Sequence, residues 1–485
     1  MPLNDYEPVI GLEVHVQLAT KSKLFCSCPA KSFGLGPNVH ICPVCAGLPG
    51  VLPVTNRKAV ELGVRAALAV GCQIRESSTF ARKNYFYPDL PKAYQISQYE
   101  DPFSYDGKLD IGGGRTVRIH RIHLEEDAGK LLHAIGSEEL PYSLVDLNRA
   151  GVPLCEIVSE PEIFSAEEAY AYLTELKQIL QYMEVSTCDM EKGEMRCDAN
   201  VSLKKKGATK LGTRAEIKNL NSFKAVKEAI LHEMGRQAEI LDAGGTIVQE
   251  TRLYDDSTGL TQTMRSKEEA HDYRYFPDPD LVPLVISKEW QEQIRKTLPE
   301  TPRLRQQRFQ DSFHLGQYDA AVLVATREKA DFYEETLKRV SADNGDADTP
   351  KLVANWVANQ HEFALKESGS AALTGKALAL AEVIGLVKSG KISQASGKEV
   401  LLAAYKSGKA PRQLVEETGA AQVSDEGLVK AWVQEAIKEN EAAAADFRGG
   451  KESALGRIVG AVMKKSKGKA NPALVNSLLK DLLKQ

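Results

Sequence analysis

Apolar and polar positions follow two regimes along the chain. Up to about residue 290 they alternate in short runs, the period of strands that bury one face. Beyond that, Ala, Leu, Lys and Glu recur at helical spacing. In the first regime Leu12, Val14, Val16 and Leu18 fall on one side, and Glu13, His15 and Gln17 on the other. Val117 to Leu124 repeats the pattern with a slip between Ile119 and Ile122, which predicts a bulge, and leads into Glu125, Glu126 and Asp127. Leu154 to Val158 holds Glu156 inside an apolar run. Arg196, Asp198, Asn200 and Ser202 alternate with Cys197, Ala199, Val201 and Leu203, and Arg214, Glu216 and Lys218 with Ala215 and Ile217. An antiparallel sheet can pack one face and leave the other open, so several strands offer polar rows.

Helices are punctuated by caps. Ser165 to Glu168 is a capping box ahead of Leu173, Leu176, Ile179 and Leu180. Thr55 caps a helix that ends at Gly71. Asn221 or Ser222 opens another that runs through Leu241. Gly112, Gly113 and Gly114 form a hairpin turn. Further on, Ser341 to Pro350 is a polar linker and Ser407 to Pro411 a second break. Leu428, Trp432, Val433, Ala436 and Ile437 share a helix face. Asn471 and Pro472 open a helix carrying Leu474, Leu478, Leu479, Leu482 and Leu483. The expected fold is α+β: a mainly antiparallel sheet domain over 1–292, a helical linker domain over 293–406 and a small helical tail domain over 407–485.

Composition narrows the class. A length of 485 residues suits about two to four domains. With 43% apolar and 26% charged residues, the chain is an ordinary globular protein. The most apolar stretch, Ala371 to Val387, is cut by Lys376 and Glu382, short of the ~20 residues of a bilayer span. The first residues carry neither signal nor transit character, so a cytoplasmic protein with no membrane partner is expected. The net charge is −4, yet from Arg448 onward Arg448, Lys451, Arg457, Lys464, Lys465, Lys467, Lys469, Lys480 and Lys484 face only Glu452 and Asp481. That tail is either a solvated face or a contact for a phosphate backbone.

Four of the eight cysteines cluster. Cys26 and Cys28, then Cys42 and Cys45, make two short knuckles. Four thiolates suit a closed tetrahedral zinc site; reduced, unliganded thiols are the other reading. Cys155 and Cys197 fall at apolar phases and read as core. If the polar rows share one face, their carboxylates need a neutralising cation. Hard oxygen ligands suit Mg²⁺ with substrate phosphates; an ion-pair network is the alternative. Phe80 to Lys92, with Arg82, Lys83 and Lys92 among aromatics, either presents cations to an anion or anchors a loop. Neither a P-loop nor a G-x-S-x-G elbow is present.

Taken together, these stretches resemble a family. IGLEVH (Ile10 to His15), ICPVCAGLPG (Ile41 to Gly50), RKNYFYPD (Arg82 to Asp89) and IHLEEDAGK (Ile122 to Lys130) match the B subunits (GatB) of tRNA-dependent aspartyl/glutamyl amidotransferases. So do DLNRAGVPL (Asp146 to Leu154), EIVSEP (Glu156 to Pro161), MRCDANVS (Met195 to Ser202), Arg214 to Phe223 and YRYFPDPDL (Tyr273 to Leu281). The resemblance implies an ATP-dependent enzyme that activates the side-chain carboxylate of Glu-tRNA(Gln) or Asp-tRNA(Asn) as an acyl phosphate. Ammonia then displaces the phosphate. The partners implied are an A subunit that makes ammonia from glutamine and a small C subunit. The resemblance puts Glu13, His15, Glu125, Glu126 and Glu156 around Mg²⁺ and ATP. It puts Lys83 and Lys92 at the ammonia entry and the substrate carboxylate, zinc on Cys26, Cys28, Cys42 and Cys45, and the tRNA elbow on the basic tail. The archaeal relative carries a large insertion before its helical tail; here Pro277 to Leu284 runs directly toward the helices, which implies the B type, and the lack of presequence character at the start leads to the expectation of a bacterial rather than an organellar origin. A tRNA-binding scaffold without chemistry, or a standalone glutaminase or ligase, are the rival expectations.

Overall fold

A computed structural model of the chain describes residues 5–136, 138–266, 270–344, 346–369, 375–422, 426–466 and 469–484. It divides into two units, Met1–Thr301 and Pro302–Gln485.

The strands of the first unit begin with β1 (Tyr6–Gln17), β2 (Gln73–Ile74), β3 (Ser77–Ser78), β4 (Ala81–Asn84), β5 (Tyr94–Ser97), β6 (Ser104–Gly112) and β7 (Arg115–Glu126). A separate ribbon, β8 (Lys130–Ile135) and β9 (Glu138–Asp146), follows. Then come β10 (Pro153–Ser159), β11 (Met195–Lys205), β12 (Ala215–Leu220), β13 (Glu250–Asp255), β14 (Leu260–Ser266), β15 (Phe276–Pro277) and β16 (Leu284–Val285). Nine of them form one sheet in the order β14-β13-β12-β11-β1-β10-β7-β6-β2. Its neighbours pair antiparallel except β12 with β13, which are parallel. The fold is thus α+β, as the alternation predicts.

Alternation along β1 leaves Leu12, Val14 and Val16 fully buried and Glu13, His15 and Gln17 half-buried. The apolar face packs on α1 (Arg57–Ala69), α2 (Ala166–Tyr182) and α3 (Phe223–Asp242), in one core with Ile122, Leu124, Cys155, Ile157, Cys197 and Ala199. Helix α1 approaches closely because Gly63 has no side chain: a Cβ there would sit 3.1 Å from Leu124 and 3.3 Å from Phe103. The bulge falls where the slip predicts, at Val158 and Ser159 of β10, opposite Arg121 and Ile119 of β7. Gly112, Gly113 and Gly114 turn the β6–β7 hairpin with φ of 92°, 60° and 76°, a region open to glycine.

Local readings needed small corrections. The α1 cap is Asn56, not Thr55: its side chain accepts from the amides of Lys58 and Ala59, where Thr55 lies one residue too early. Ser165 caps α2 through Glu168 N at 3.0 Å, while Glu168 reaches back to Phe164 N at 2.9 Å. Ser222, not Asn221, caps α3.

In the second unit helices account for the regular structure of the described residues, with two apolar cores: one from Phe309 to Val415, the other from Val429 to Leu483. The predicted linker is shorter than its polarity suggests, since helices Arg327–Asn344 and Thr349–Asn355 run into it and position 345 lies outside the described residues. The break at 407–411 is a left-handed cap at Gly408, with a new helix opening at Pro411. Leu428 does not join the tail core. It is 54% exposed, and Val429, one residue on, takes the buried position. Asn471 caps the last helix, accepting from the amides of Ala473 and Leu474.

Candidate active site and thiol cluster

The open face of the sheet carries a cavity of about 800 Å³. Register explains its lining. His15 of β1 lies opposite Glu156 of β10, and Glu156 lies opposite His123 of β7. Glu125 is two residues beyond His123 and therefore on the same face. Four groups from three strands thus meet. His15 Nε2 stands 3.6 Å from Glu125 and 3.5 Å from Glu156; His123 Nε2 stands 3.8 Å and 3.3 Å from the same two carboxylates. Ser97 of β5 donates to Glu125 at 3.2 Å. Glu13 lines the same cavity and accepts from Asn200 at 2.9 Å. On β11 and β12, Asp198 and Glu216 hold Lys218.

Electrostatics in this cluster is a contest that pairing wins. Burial resists charging His15, but its hydrogen bond to Glu156 and the charges of Glu156 and Glu125 push its pKa up to about 9. Burial likewise opposes charge on His123, and the Glu156 charge with hydrogen bonds to both carboxylates raises it. Glu156, buried, is driven well below the usual carboxylate range by the two imidazoles. Pairing thus favours the charged forms of both imidazoles and of Glu156. Ligand atoms of His15, Glu125 and Glu156 lie within 4.8 Å of one another, so a divalent cation could take the place of the imidazole protons.

The remaining predicted residues divide between two places. Lys83 lines the main cavity, its ammonium 4.7 Å over the Tyr273 ring. Glu126 and Lys92 do not join it. They pair with each other, and Glu126 also accepts from Ile96 N at 2.9 Å. Successive residues of a strand point to opposite faces, so Glu126 cannot follow Glu125. Glu126 and Lys92 instead line a smaller cavity of about 250 Å³ together with Cys26 and Cys45.

The four clustered thiols do converge: Sγ atoms of Cys26, Cys28, Cys42 and Cys45 lie within 4.8 Å of one another. Cys42 and Cys45 are 3.8 Å apart, about the edge of a tetrahedron with ~2.3 Å metal–sulfur bonds. The Cys42 amide points at Cys45 Sγ (3.1 Å), and the buried Lys23 ammonium lies 3.5 Å from it. A hydrogen bond from Cys26, against burial, and the Lys23 charge bring the Cys45 thiol down to about 4. Thiolate character with a cation alongside suits a metal. Cys72, Cys155, Cys188 and Cys197 are buried apart from it.

His123 escaped the sequence-based site, though its signal was there: it shares the phase of Glu125 and opposes Ile122 and Leu124. Tyr99 and Tyr275, stacked at 4.2 Å on the cavity wall, had no local signal. The segment bearing Tyr275 reaches the wall through β15, which pairs with β4 almost 200 residues earlier in the chain.

In the basic tail, Arg448, Arg457, Lys464, Lys469 and Lys480 are exposed. Lys465 is tied to Glu435 and Glu439, and Lys451 to Asp446. Lys467 and the Lys484 side chain lie outside the described residues.

Comparison with known proteins places the chain beside one family over most of its length. Residues 8–292 match the family described as the GatB/GatE catalytic domain, and residues 331–483 the GatB domain. The B subunit of the aspartyl/glutamyl-tRNA(Asn/Gln) amidotransferase from Persephonella marina is 51% identical over 485 residues, covering 99% of this chain and 100% of that one. The proteins of the same name from Carboxydothermus hydrogenoformans and Geotalea uraniireducens are 51% and 52% identical, covering 99% and 98% of each chain.

Proposed function

This chain belongs to the family of amidotransferase B subunits, and on that basis we propose how its residues carry the reaction. It is a ligase-type component of a tRNA-dependent amidotransferase. The substrate read here is Glu-tRNA(Gln) or Asp-tRNA(Asn). A side-chain carboxylate oxygen attacks the γ-phosphorus of ATP and ADP leaves. Ammonia then attacks the acyl carbon, the bond to phosphate oxygen breaks, phosphate departs and the nitrogen loses a proton, leaving Gln-tRNA or Asn-tRNA. Ammonia comes from glutamine on the A subunit, and a small C subunit completes the heterotrimer.

The observation that carries this reading is one cavity shared by Glu13, His15, Glu125 and Glu156 with Lys83, Arg121 and Lys218. A carboxylate and a triphosphate repel each other, so their meeting needs positive charge. His15, Glu125 and Glu156, with Glu13 beside them, would hold Mg²⁺. Bound there, the ion would supply charge neutralisation for the phosphates. Lys83 on the cavity wall would orient the substrate carboxylate. Lys92 and Glu126, in the neighbouring cavity, would border the ammonia entry. Zn²⁺ on Cys26, Cys28, Cys42 and Cys45 would brace the loops between β1 and α1. We read 1–292 as the catalytic cradle, 293–406 as the linker domain and 407–485 as the module whose exposed cations grip tRNA. No described helix is long and apolar enough to cross a membrane, and the cytoplasm is where the charged tRNA is found.

Reconstitution with the A and C subunits tests this. Glu156→Gln should abolish ATP-dependent formation of Gln-tRNA while glutamine hydrolysis continues. Normal product from that variant would leave the chain a tRNA-binding scaffold.

A further inference from the structure

We propose that Lys23 is the counter-ion of the metal-loaded thiol cluster, its buried ammonium compensating part of the negative charge that four thiolates leave on Zn²⁺. This builds on the reading of Cys26, Cys28, Cys42 and Cys45 as a zinc site, and it makes Lys23 a positioning residue, not a ligand.

Lys23 is fully buried, at 0% exposure. A charge out of reach of water is costly unless it is hydrogen-bonded and paired. An ammonium has three donors. Here they meet His40 O at 2.8 Å, Leu147 O at 3.3 Å and Cys45 Sγ at 3.5 Å. The two carbonyls are neutral. Among the described residues no carboxylate pairs with Lys23, and Glu126, in the cavity that Lys23 also lines, is taken by Lys92. The sulfur is thus the acceptor that can carry negative charge. One Zn²⁺ held by four thiolates keeps two negative charges, so the cation and the cluster each supply what the other lacks. The ammonium also stands at the right sulfur. Cys45 is the buried member of the four, the thiolate that water is least able to solvate.

The side chain is held from both ends. Lys23 N donates to Cys28 O at 2.9 Å, and Asn56 Nδ2 donates to Lys23 O at 3.1 Å. The carbonyls of His40 and Leu147, from two different loops, fix the far end. Those loops are also stitched together without Lys23: Asn148 accepts from His40 N at 2.8 Å and donates to Gly36 O at 2.7 Å. Removing the Asn148 side chain therefore loosens the same loops without touching a sulfur.

The experiment loads the assembled heterotrimer with Zn²⁺ or Co²⁺. Competition with a chromophoric chelator gives the Zn²⁺ affinity, and the thiolate-to-cobalt charge-transfer band reports the electron density on sulfur. Lys23→Met keeps the stem and removes the charge. It should weaken Zn²⁺ about 10–100-fold and move the band to longer wavelength at full occupancy. Lys23→Gln, which keeps donors without charge, should weaken Zn²⁺ as well and covers the case of a poorly folding Met variant. Asn148→Ala should lower stability and leave the band in place. Unchanged affinity and band in a folded Lys23 variant overturn the proposal. So does an equal band shift in Asn148→Ala, which would reduce Lys23 to bracing the loops. A wild-type protein with no thiolate-to-cobalt band refutes the zinc reading itself.

Discussion

Two histidines, His15 half-buried on the sheet face and His361 buried in a helical core, have opposite fates. His15, on the sheet face, sits between Glu125 and Glu156 and is pushed up to about 9. His361, in the first helical core, lies stacked 3.9 Å from Phe332 with Nδ1 2.8 Å from the Tyr405 hydroxyl. Burial drives it down to about 4, and the Lys376 and Lys329 charges add to this against Glu362. The first site accumulates charge and keeps a cavity through which ligands can reach it. The second removes charge and closes over a neutral ring. A polar group kept ionised beside open space is poised for chemistry; one kept neutral in a packed core serves the fold.

The contrast predicts a separation of effects. Glu125→Gln should lower ATP-dependent amidation on the order of 10²–10³-fold and move the thermal midpoint by less than about 3 °C. A large loss of stability with activity retained would invert the assignment. Cys42→Ser should abolish the Zn²⁺ binding proposed for the thiol cluster and lower the thermal midpoint of the first unit by roughly 5–10 °C, with kcat little changed where the protein is folded. Metal analysis and calorimetry read both.

For His361 the sign runs the other way from His15. Its pKa in the fold lies below the unfolded value of about 6.5, so the unfolded chain binds the extra proton. Stability is complete above about 6.5 and is lost as pH falls toward 4, by on the order of 3 kcal/mol. Urea unfolding at pH 7 and pH 4.5, followed by Trp356 after Trp290 and Trp432 are replaced by Phe, should show that loss. His361→Phe should flatten the pH dependence without affecting amidation at neutral pH. The smallest effect concerns the tail. Replacing Arg457, Lys464 or Lys480 singly should reduce the salt slope of tRNA binding by about one, whereas Lys465, held by Glu435 and Glu439, should matter less.

Much of this was legible in the residues alone. The period-two runs predicted the buried and open faces of β1, β7, β10 and β11, and the slip between Ile119 and Ile122 predicted the bulge. Paired knuckles predicted that Cys26, Cys28, Cys42 and Cys45 would meet. Errors came where neighbouring residues compete for one role: Thr55 and Asn56 for a cap, Leu428 and Val429 for a core position. A single turn of backbone decides those, and both candidates fit the pattern.

Which face a side chain takes is fixed by the alternation of the backbone, so the chain's own pattern put Glu13 and His15 on a polar face and Glu156 inside an apolar run, while Glu126, expected beside Glu125, takes the opposite face. Which of them touch depends on strand order and register, settled by core packing between segments from about 30 to almost 200 residues apart. That packing set Glu156 between His15 and His123, sent Glu126 to Lys92, and brought Tyr275 to the cavity wall. No local pattern encodes a partner so distant along the chain.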